Sequence, residues 1–292
     1  MRYQRGIEAR AVCRDGAGRV LLVADGLGRA MVPGGPLRHG EHPVDALQRW
    51  ARDQVPEQLS VRRPLRVATE VARAETWRGG WQHRDMIVFD AQVGDAGGEH
   101  VRQGVQWATE GDLATLRLSP GTAAALGLAS GTSQPGPRVV WSAVPGSSGR
   151  RRQRFAAYGH AMDPAGRVLL TLIATGFPGQ GRWHLPGGGT DFGESAEAGL
   201  HREIEEETAQ RGTIGELLTV SHRHQIRQNG RSVDWHGVRV VYAVRVGEPS
   251  APQVLEQGGS TAQAGWFEVA QALELPLTEV AQEALVARPA PW

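Results

Sequence analysis

The chain is expected to be an α+β protein built as two similar halves, and three observations carry that expectation. The first is an internal repeat. Pro33-Gly34-Gly35 recurs 153 positions later as Pro186-Gly187-Gly188, and the same spacing carries Gly40-Glu41 onto Gly193-Glu194, Leu47 onto Leu200 and Arg49 onto Arg202. HRDMIVFDAQV, from His83, overlays HGVRVVYAVRV, from His236, at that spacing. Ahead of the glycines, Asp15 and GRVLL from Gly18 match Asp163 and GRVLL from Gly166 at 148 positions, the difference being a longer loop at Ala174 to Gly181. The second observation is that each half reads as strands around one principal helical segment. The third is that 292 residues, 40% hydrophobic and 22% charged, suit two soluble domains of ordinary size.

In the second half, Phe155 to Met162 and Val168 to Ile173 alternate or run apolar as strands do. Ser195 to Thr208 is expected as a helix, followed by strands at Leu217 to Gln225, Val233 to Val246 and Trp266 to Glu268. Leu273 to Val286 has a helical pattern, with Pro276 limiting where it can begin. The first half repeats this, with helices at Pro43 to Val55 and Thr122 to Leu128. Gly131 to Arg154 is rich in Pro, Gly and Ser, so the expected division is a domain at 1–132, a linker at 133–150 and a domain at 151–292. Val139-Val140-Trp141 is a short strand or an anchor within it. Arg150, Arg151, Arg152 and Arg154 read as a solvated linker end in preference to a phosphate site.

Net charge of +1 gives no electrostatic case for a polynucleotide or an anionic membrane. The single Cys13 excludes an intrachain disulfide and reads as a strand residue in a reducing compartment. The start, MRYQRGIEARAV, lacks the apolar core of a signal peptide, and no apolar run reaches the length of a membrane span. A cytoplasmic location is the resulting expectation.

The chemistry is concentrated in GGTDFGESAEAGLHREIEEETAQ, Gly188 to Gln210. On a helix, Glu203, Glu206 and Glu207 fall at i, i+3 and i+4 and share one face. Like charges so placed repel by some tenths of a kcal/mol per pair, which a cation among them reverses. Oxygen-only ligands favour a hard cation, Mg2+ or Mn2+.

These residues resemble the Nudix box, G-x5-E-x7-R-E-U-x-E-E-x-G-U with U a bulky aliphatic. Gly188, Glu194, Arg202, Glu203, Ile204, Glu206 and Glu207 match it, whereas the final G-U reads Ala209-Gln210. The resemblance implies an α/β/α sandwich with a mixed sheet in each half, and hydrolysis of a pyrophosphate linkage in a small nucleoside diphosphate derivative. It implies Glu206, Glu207 and the Gly187 carbonyl as metal ligands, Glu203 as ligand or general base, and Arg202 orienting carboxylates through a pair with Glu194 or Glu203. Glu205 falls off the shared face and reads as solvated, with Leu200 and Ile204 burying the other side. A further acid ahead of the last strand is absent from Ser260 to Ala264, leaving Glu256 as the nearest candidate.

The first half is read as a degenerate copy. It has Trp50, Asp53 and Gln54 where the second has Glu203, Glu206 and Glu207, too few oxygen ligands for a dication. Its expected role is to shape the substrate pocket or to hold a homodimer. A different class of function, a nucleotide-sensing protein that binds without turnover, is weighed against the intact second box. His222-Arg223-His224 reads as an exposed pair on one strand face. Trp183, Trp235 and Tyr242 read as core residues before they read as base-stacking ones.

Overall fold

The computed structural model describes residues 2–55, 58–73, 80–94, 104–128, 151–228 and 231–287. The linker at 133–150, with Val139-Val140-Trp141, and Arg150 lie outside the described residues. The chain divides into two compact units. Unit 1 holds Met1–Gln153 with Asp191–Ser195 and His222–Gly237, and unit 2 holds Arg154–Thr190, Ala196–Ser221 and Val238–Trp292. The units therefore do not follow the sequence halves, because three short stretches of the second half, 151–153, 191–195 and 222–237, count with the first.

The first half runs β1 (Arg2–Cys13), β2 (Val20–Ala24), β3 (Ala30–Met31), β4 (Gly34–Pro36), α1 (Pro43–Gln54), β5 (Leu59–Arg73), β6 (Gly80–Val93), β7 (Val105–Ala108), α2 (Glu110–Thr115) and α3 (Pro120–Leu126). The second runs β8 (Arg151–Met162), β9 (Arg167–Ile173), β10 (Trp183–His184), β11 (Gly187–Gly189), α4 (Ala196–Thr208), β12 (Thr213–Gln228), β13 (Arg231–Arg245), β14 (Thr261–Glu268), α5 (Val269–Ala272) and α6 (Glu279–Ala287). The order of elements is the same. Pairing repeats too: β4-β1-β6-β5 and β3-β2-β7 in the first half correspond to β11 on β8, β8-β13-β12 and β10-β9-β14 in the second. Register follows the sequence repeat, with Gly35 opposite Ala9 and Gly188 opposite Ala157, Trp107 opposite Leu21 and Trp266 opposite Leu169. Since β1 pairs parallel with β6 and antiparallel with β4, the sheet is mixed. The fold is mixed α+β.

Each half closes its own core. Val20, Leu22, Val32, Met86 and Val88 pack together in the first, and Val168, Leu170, Leu185, Val241 and Ala281 in the second. Alternating apolar residues on strands and one apolar helix face supply these clusters. The expected closing helix at Leu273 to Val286 is corrected. Residues 273–278 turn instead, because the Pro276 carbonyl accepts the Trp183 N–H and Thr278 N–H reaches the Trp183 carbonyl. The helix begins only at Glu279, beyond the proline that cannot sit in a helix interior.

Cys13 is buried in β1, and burial, with the nearby Asp90 charge, pushes its thiol up to about 12. A thiol so held is not a nucleophile at neutral pH. No helix of the described residues is long and apolar enough to cross a membrane.

Candidate active site

The glycine turn and α4 are matched to each other. A Cβ on Gly188 would fall 2.7 Å from the Glu203 carboxyl carbon, so only glycine lets that side chain lie across β11. Gly187 has φ 135 and its Cβ would meet the Ala157 carbonyl at 2.3 Å, which closes the position to other residues. Leu200 and Ile204, fully buried, fix the opposite face of the helix as expected from its period. Glu205 points away and pairs with Arg211 at the surface.

The carboxylates hang on different partners. Arg202 Nη1 donates to Glu203 Oε1 at 2.9 Å and to Glu206 Oε2 at 3.0 Å, while its Nη2 donates to the Gly189 carbonyl at 3.2 Å. Of the two partners expected for Arg202, Glu203 is thus observed, and Glu206 joins it. Glu207 turns the other way: its Oε2 accepts the Gly187 N–H at 2.9 Å, and its Oε1 accepts a short hydrogen bond from the Thr261 hydroxyl. Glu194 is buried and accepts the Asp191 N–H at 2.9 Å, within the stretch that belongs to unit 1.

Burial sets the electrostatics. It pushes the Glu207 carboxyl up to about 7, against the lowering effect of its two hydrogen bonds and with the help of the Glu203 and Glu256 charges. Burial likewise raises Glu203, opposed by Arg202 and Arg154. These oxygens fit a hard dication, which would reverse both shifts by stabilising the charged form. Glu256 is an exposed residue whose backbone N–H binds the Glu206 carbonyl at 3.1 Å, and its charge is felt at Glu207. That contact makes it more than a neighbour in sequence.

Three residues escaped the sequence reading. Thr261 lies in the stretch searched for an acid and found without one, and it holds Glu207 by a hydroxyl instead. Arg154 does not belong to a merely solvated run, because its guanidinium lies over Gly189, where a Cβ would meet Nε at 2.3 Å, and its charge acts on Glu203. Arg239 acts with Arg154 on the half-buried Tyr158, whose strand pairs with β11. Only the even spacing of Arg154 from the apolar residues of β8 hinted at its place.

Two other expectations resolve differently. Tyr242 is buried, and Trp183 packs edge-on to Phe267 in the core of unit 2, as core residues should. Trp235 is half-buried, with its ring against Gly237. His222 and His224 are not a plain exposed pair, because the ring of His222 meets His42 at 5.0 Å and that of His224 meets His39 at 5.2 Å. The first partners sit far upstream in sequence.

Residues 152–288 match the family model of the NUDIX domain. Among solved structures, a MutT NUDIX hydrolase from Burkholderia pseudomallei is 29% identical, covering 48% of this chain and 100% of its own at a TM-score of 0.40. The NUDIX domain of Shewanella oneidensis NrtR, complexed with ADP ribose, is 24% identical over 47% of this chain and 86% of its own, at a TM-score of 0.39. The E. coli ORF135 protein is 22% identical over 48% and 96%, at 0.36. No curated protein matches. The matched segment contains the box residues in the geometry above, and residues 152–288 are similar to a NUDIX domain.

Proposed function

We propose that the second half hydrolyses a pyrophosphate linkage in a small nucleoside diphosphate derivative and requires Mg2+ or Mn2+. The observation that carries the proposal is Glu207, buried with its carboxyl raised to about 7 beside Glu203 and the Gly187 turn. In this reading Glu206, Glu207, Glu203 and the Gly187 carbonyl hold the metal. When bound, the metal supplies charge neutralisation at the phosphate oxygens and acidifies the attacking water. Arg202 orients Glu203 and Glu206 through its fork. Glu203 is either a ligand or the base that takes the proton of the water, and Glu194 positions the turn ahead of α4. Arg154, exposed and over Gly189, is the residue placed to meet a phosphate.

The first half is, in the same proposal, a degenerate Nudix domain without turnover. Trp50 lies against Gly35 as Glu203 lies against Gly188, and Gln54 takes the Gly34 N–H as Glu207 takes that of Gly187. A homodimer held by this half and a cytoplasmic setting belong to the proposal as well. The intact second box favours turnover over nucleotide sensing without it.

The test is a panel of nucleoside triphosphates, dinucleotides, nucleotide sugars and ADP-ribose with Mg2+, scored for released phosphate or monophosphate, on full-length protein and its Glu203→Gln variant. Metal-dependent release by the native chain and its loss in the variant are expected. No release from any compound at any divalent metal would favour the sensing function. Turnover that survives Glu203→Gln and disappears on changing Glu41 and Asp53 would place the activity in the first half.

A further inference from the structure

Unit 1 contains two clusters at repeat-equivalent positions with opposite chemistry. Val71, Trp81 and Phe192 are buried together with Tyr3 packed on them. Across the repeat, 148 positions on for Tyr3 and 153 for the others, their counterparts are Arg151, His224, Asp234 and, for Phe192, His39. Those four also meet. His39 Nε2 lies 2.7 Å and His224 Nε2 2.8 Å from Asp234 Oδ1, and Arg151 Nε donates to Asp234 Oδ2 at 3.0 Å. The ligand atoms of His39, His224 and Asp234 all lie within 4.8 Å of one another. An apolar knot in one copy is thus a knot of two imidazoles and a carboxylate in the other.

A second observation points to a ligand. His236, the counterpart of His83, is 0% exposed. Its Nδ1 lies 3.1 Å from Gln153 Nε2, and its Nε2 is buried without a hydrogen bond of good geometry, the ring also interacting with the Glu41 backbone. The equivalent His83 leaves nothing unsatisfied: Nε2 meets Asp85 at 2.9 Å and Nδ1 accepts the Gly193 N–H at 2.9 Å. A buried polar atom left unpaired costs about 1–3 kcal/mol, so its retention calls for a partner. The His236 ring stands 5.5 Å from that of His39 and 6.1 Å from that of His224, and those two stand 5.2 Å apart. Imidazoles around one tetrahedral zinc, at a zinc–nitrogen bond of about 2.0–2.1 Å, have centroids roughly 5 Å apart.

We propose that unit 1 binds one divalent transition-metal ion of the zinc type, held by His39, His224 and Asp234 with His236 as the adjoining nitrogen. Imidazole nitrogens with one carboxylate select zinc over magnesium, so this site is chemically distinct from the oxygen-only box. Arg151 occupies the second carboxylate oxygen and turns the first toward the two rings. The ion ties the loop before α1 to the ends of β12 and β13 that unit 1 contains, the work Phe192 does by burial in the other cluster. The site is independent of the proposed hydrolysis.

The experiment uses full-length protein stripped with chelator, then given Zn2+ alone, with bound metal counted by elemental analysis and Co2+ substituted as a spectroscopic probe. One equivalent that persists in the Glu206→Gln, Glu207→Gln double variant is expected, along with the visible absorption of tetrahedral Co2+ and a rise in unfolding temperature. His224→Ala should weaken Zn2+ binding by at least the roughly 10–100-fold that attends loss of a group behind a ligand. Because that variant can also loosen the fold, a triple variant restoring the apolar chemistry (His39→Phe, His224→Val, Asp234→Trp) is the second arm; it should fold and bind no Zn2+. Absence of stoichiometric Zn2+ in the native chain, or binding unchanged by either variant, would overturn the site.

Discussion

The two glycine turns, β4 with α1 and β11 with α4, share a backbone and differ in what fills the space in front of them. At β11, Glu207 accepts the Gly187 N–H at 2.9 Å. At β4, Gln54 accepts the Gly34 N–H at 2.7 Å and returns its own amide N–H to the Gly34 carbonyl at 3.1 Å. The Arg10 guanidinium, in the place of Tyr158, donates to the same carbonyl at 3.1 Å. The first turn thus carries its positive partner covalently, as a side chain, and its Trp50 is tied by Nε1 to the Pro36 carbonyl. Glu41, at the position matched to Glu194, pairs with Arg49 at 2.7 Å, which holds the Glu41 carboxyl below its usual range. On the proposed reading the buried acid facing the second glycine turn serves a bound cation, whereas the first turn holds a fixed guanidinium on its glycine carbonyl.

The largest test of that comparison is Glu207→Gln. Gln54 shows that an amide fits this geometry, so the variant should fold, and its stability should hold or rise because a raised carboxyl has been replaced by a neutral group. Turnover should fall at least about a thousandfold, roughly 4 kcal/mol, in keeping with a metal's several kcal/mol of charge stabilisation. Thermal unfolding beside a rate assay in Mg2+ reads both. Near-native turnover would break the comparison at its root.

Much of this was legible in the sequence because it is local or periodic. Glu203, Glu206 and Glu207 lie within two helical turns, and their common face follows from 100° per residue. The five strands expected in the second half correspond to β8, β9, β12, β13 and β14, whereas the short β10 and β11 were not expected. The pairing of Thr261 with Glu207, and of Arg154 with Gly189, was not legible, because strand register and rotamer decide it, and no periodicity reports either. The histidine knot escaped for a stronger reason. His39 and His224 sit in different halves of the chain, and each alone resembles an ordinary surface residue. Their relation appears only when the repeat is laid over a structure that shows Phe192, Val71 and Trp81 in contact.

The next comparison sets Asp85 against Val238, its fully buried counterpart. Asp85 is also fully buried, with Arg5 at 2.8 Å and His83 at 2.9 Å. Burial alone would raise its carboxyl, but the Arg5 and His83 charges outweigh it and hold the group down to about 2. A depressed carboxyl contributes stability that is complete above its unfolded value near 4 and lost as pH falls toward 2. Asp85→Asn removes the buried carboxylate that Arg5 and His83 share and should cost about 3–5 kcal/mol at neutral pH. Chemical denaturation at pH 6 and pH 3 separates the terms: the native chain should weaken on acidification, and the variant should lose that part of the dependence. Equal slopes would mean the cluster is not ionised as described.

Leu47 and Leu200 offer a control in which the halves should agree. Both are fully buried on the apolar face of their helices and match across the repeat. Each Leu→Ala change should destabilise its unit by about 2–5 kcal/mol, from lost transfer energy and the cavity left behind. Unequal costs, one near zero, would show that one helix is held by something other than its core face.

The smallest effect concerns how the two helices end. α1 leaves at Val55 with extended backbone, φ −119 and ψ 144, where a β-branched residue is at ease. α4 leaves through Ala209 at φ 55, a left-handed conformation in which its N–H still reaches the Glu205 carbonyl at 2.9 Å. This is the position at which the box pattern has glycine. An L residue with a Cβ pays about 1–2 kcal/mol there, whereas glycine pays somewhat more chain entropy on folding. The difference predicts that Ala209→Gly stabilises unit 2 by about 1 kcal/mol, a rise of about 2–4 °C in unfolding temperature for a domain of this size. Glycine at Val55 should act in the opposite direction, because that backbone needs no left-handed residue and the buried side chain is lost. Differential scanning calorimetry of the two variants reads the signs directly. If Ala209→Gly lowered the unfolding temperature, the left-handed exit of α4 would be wrong.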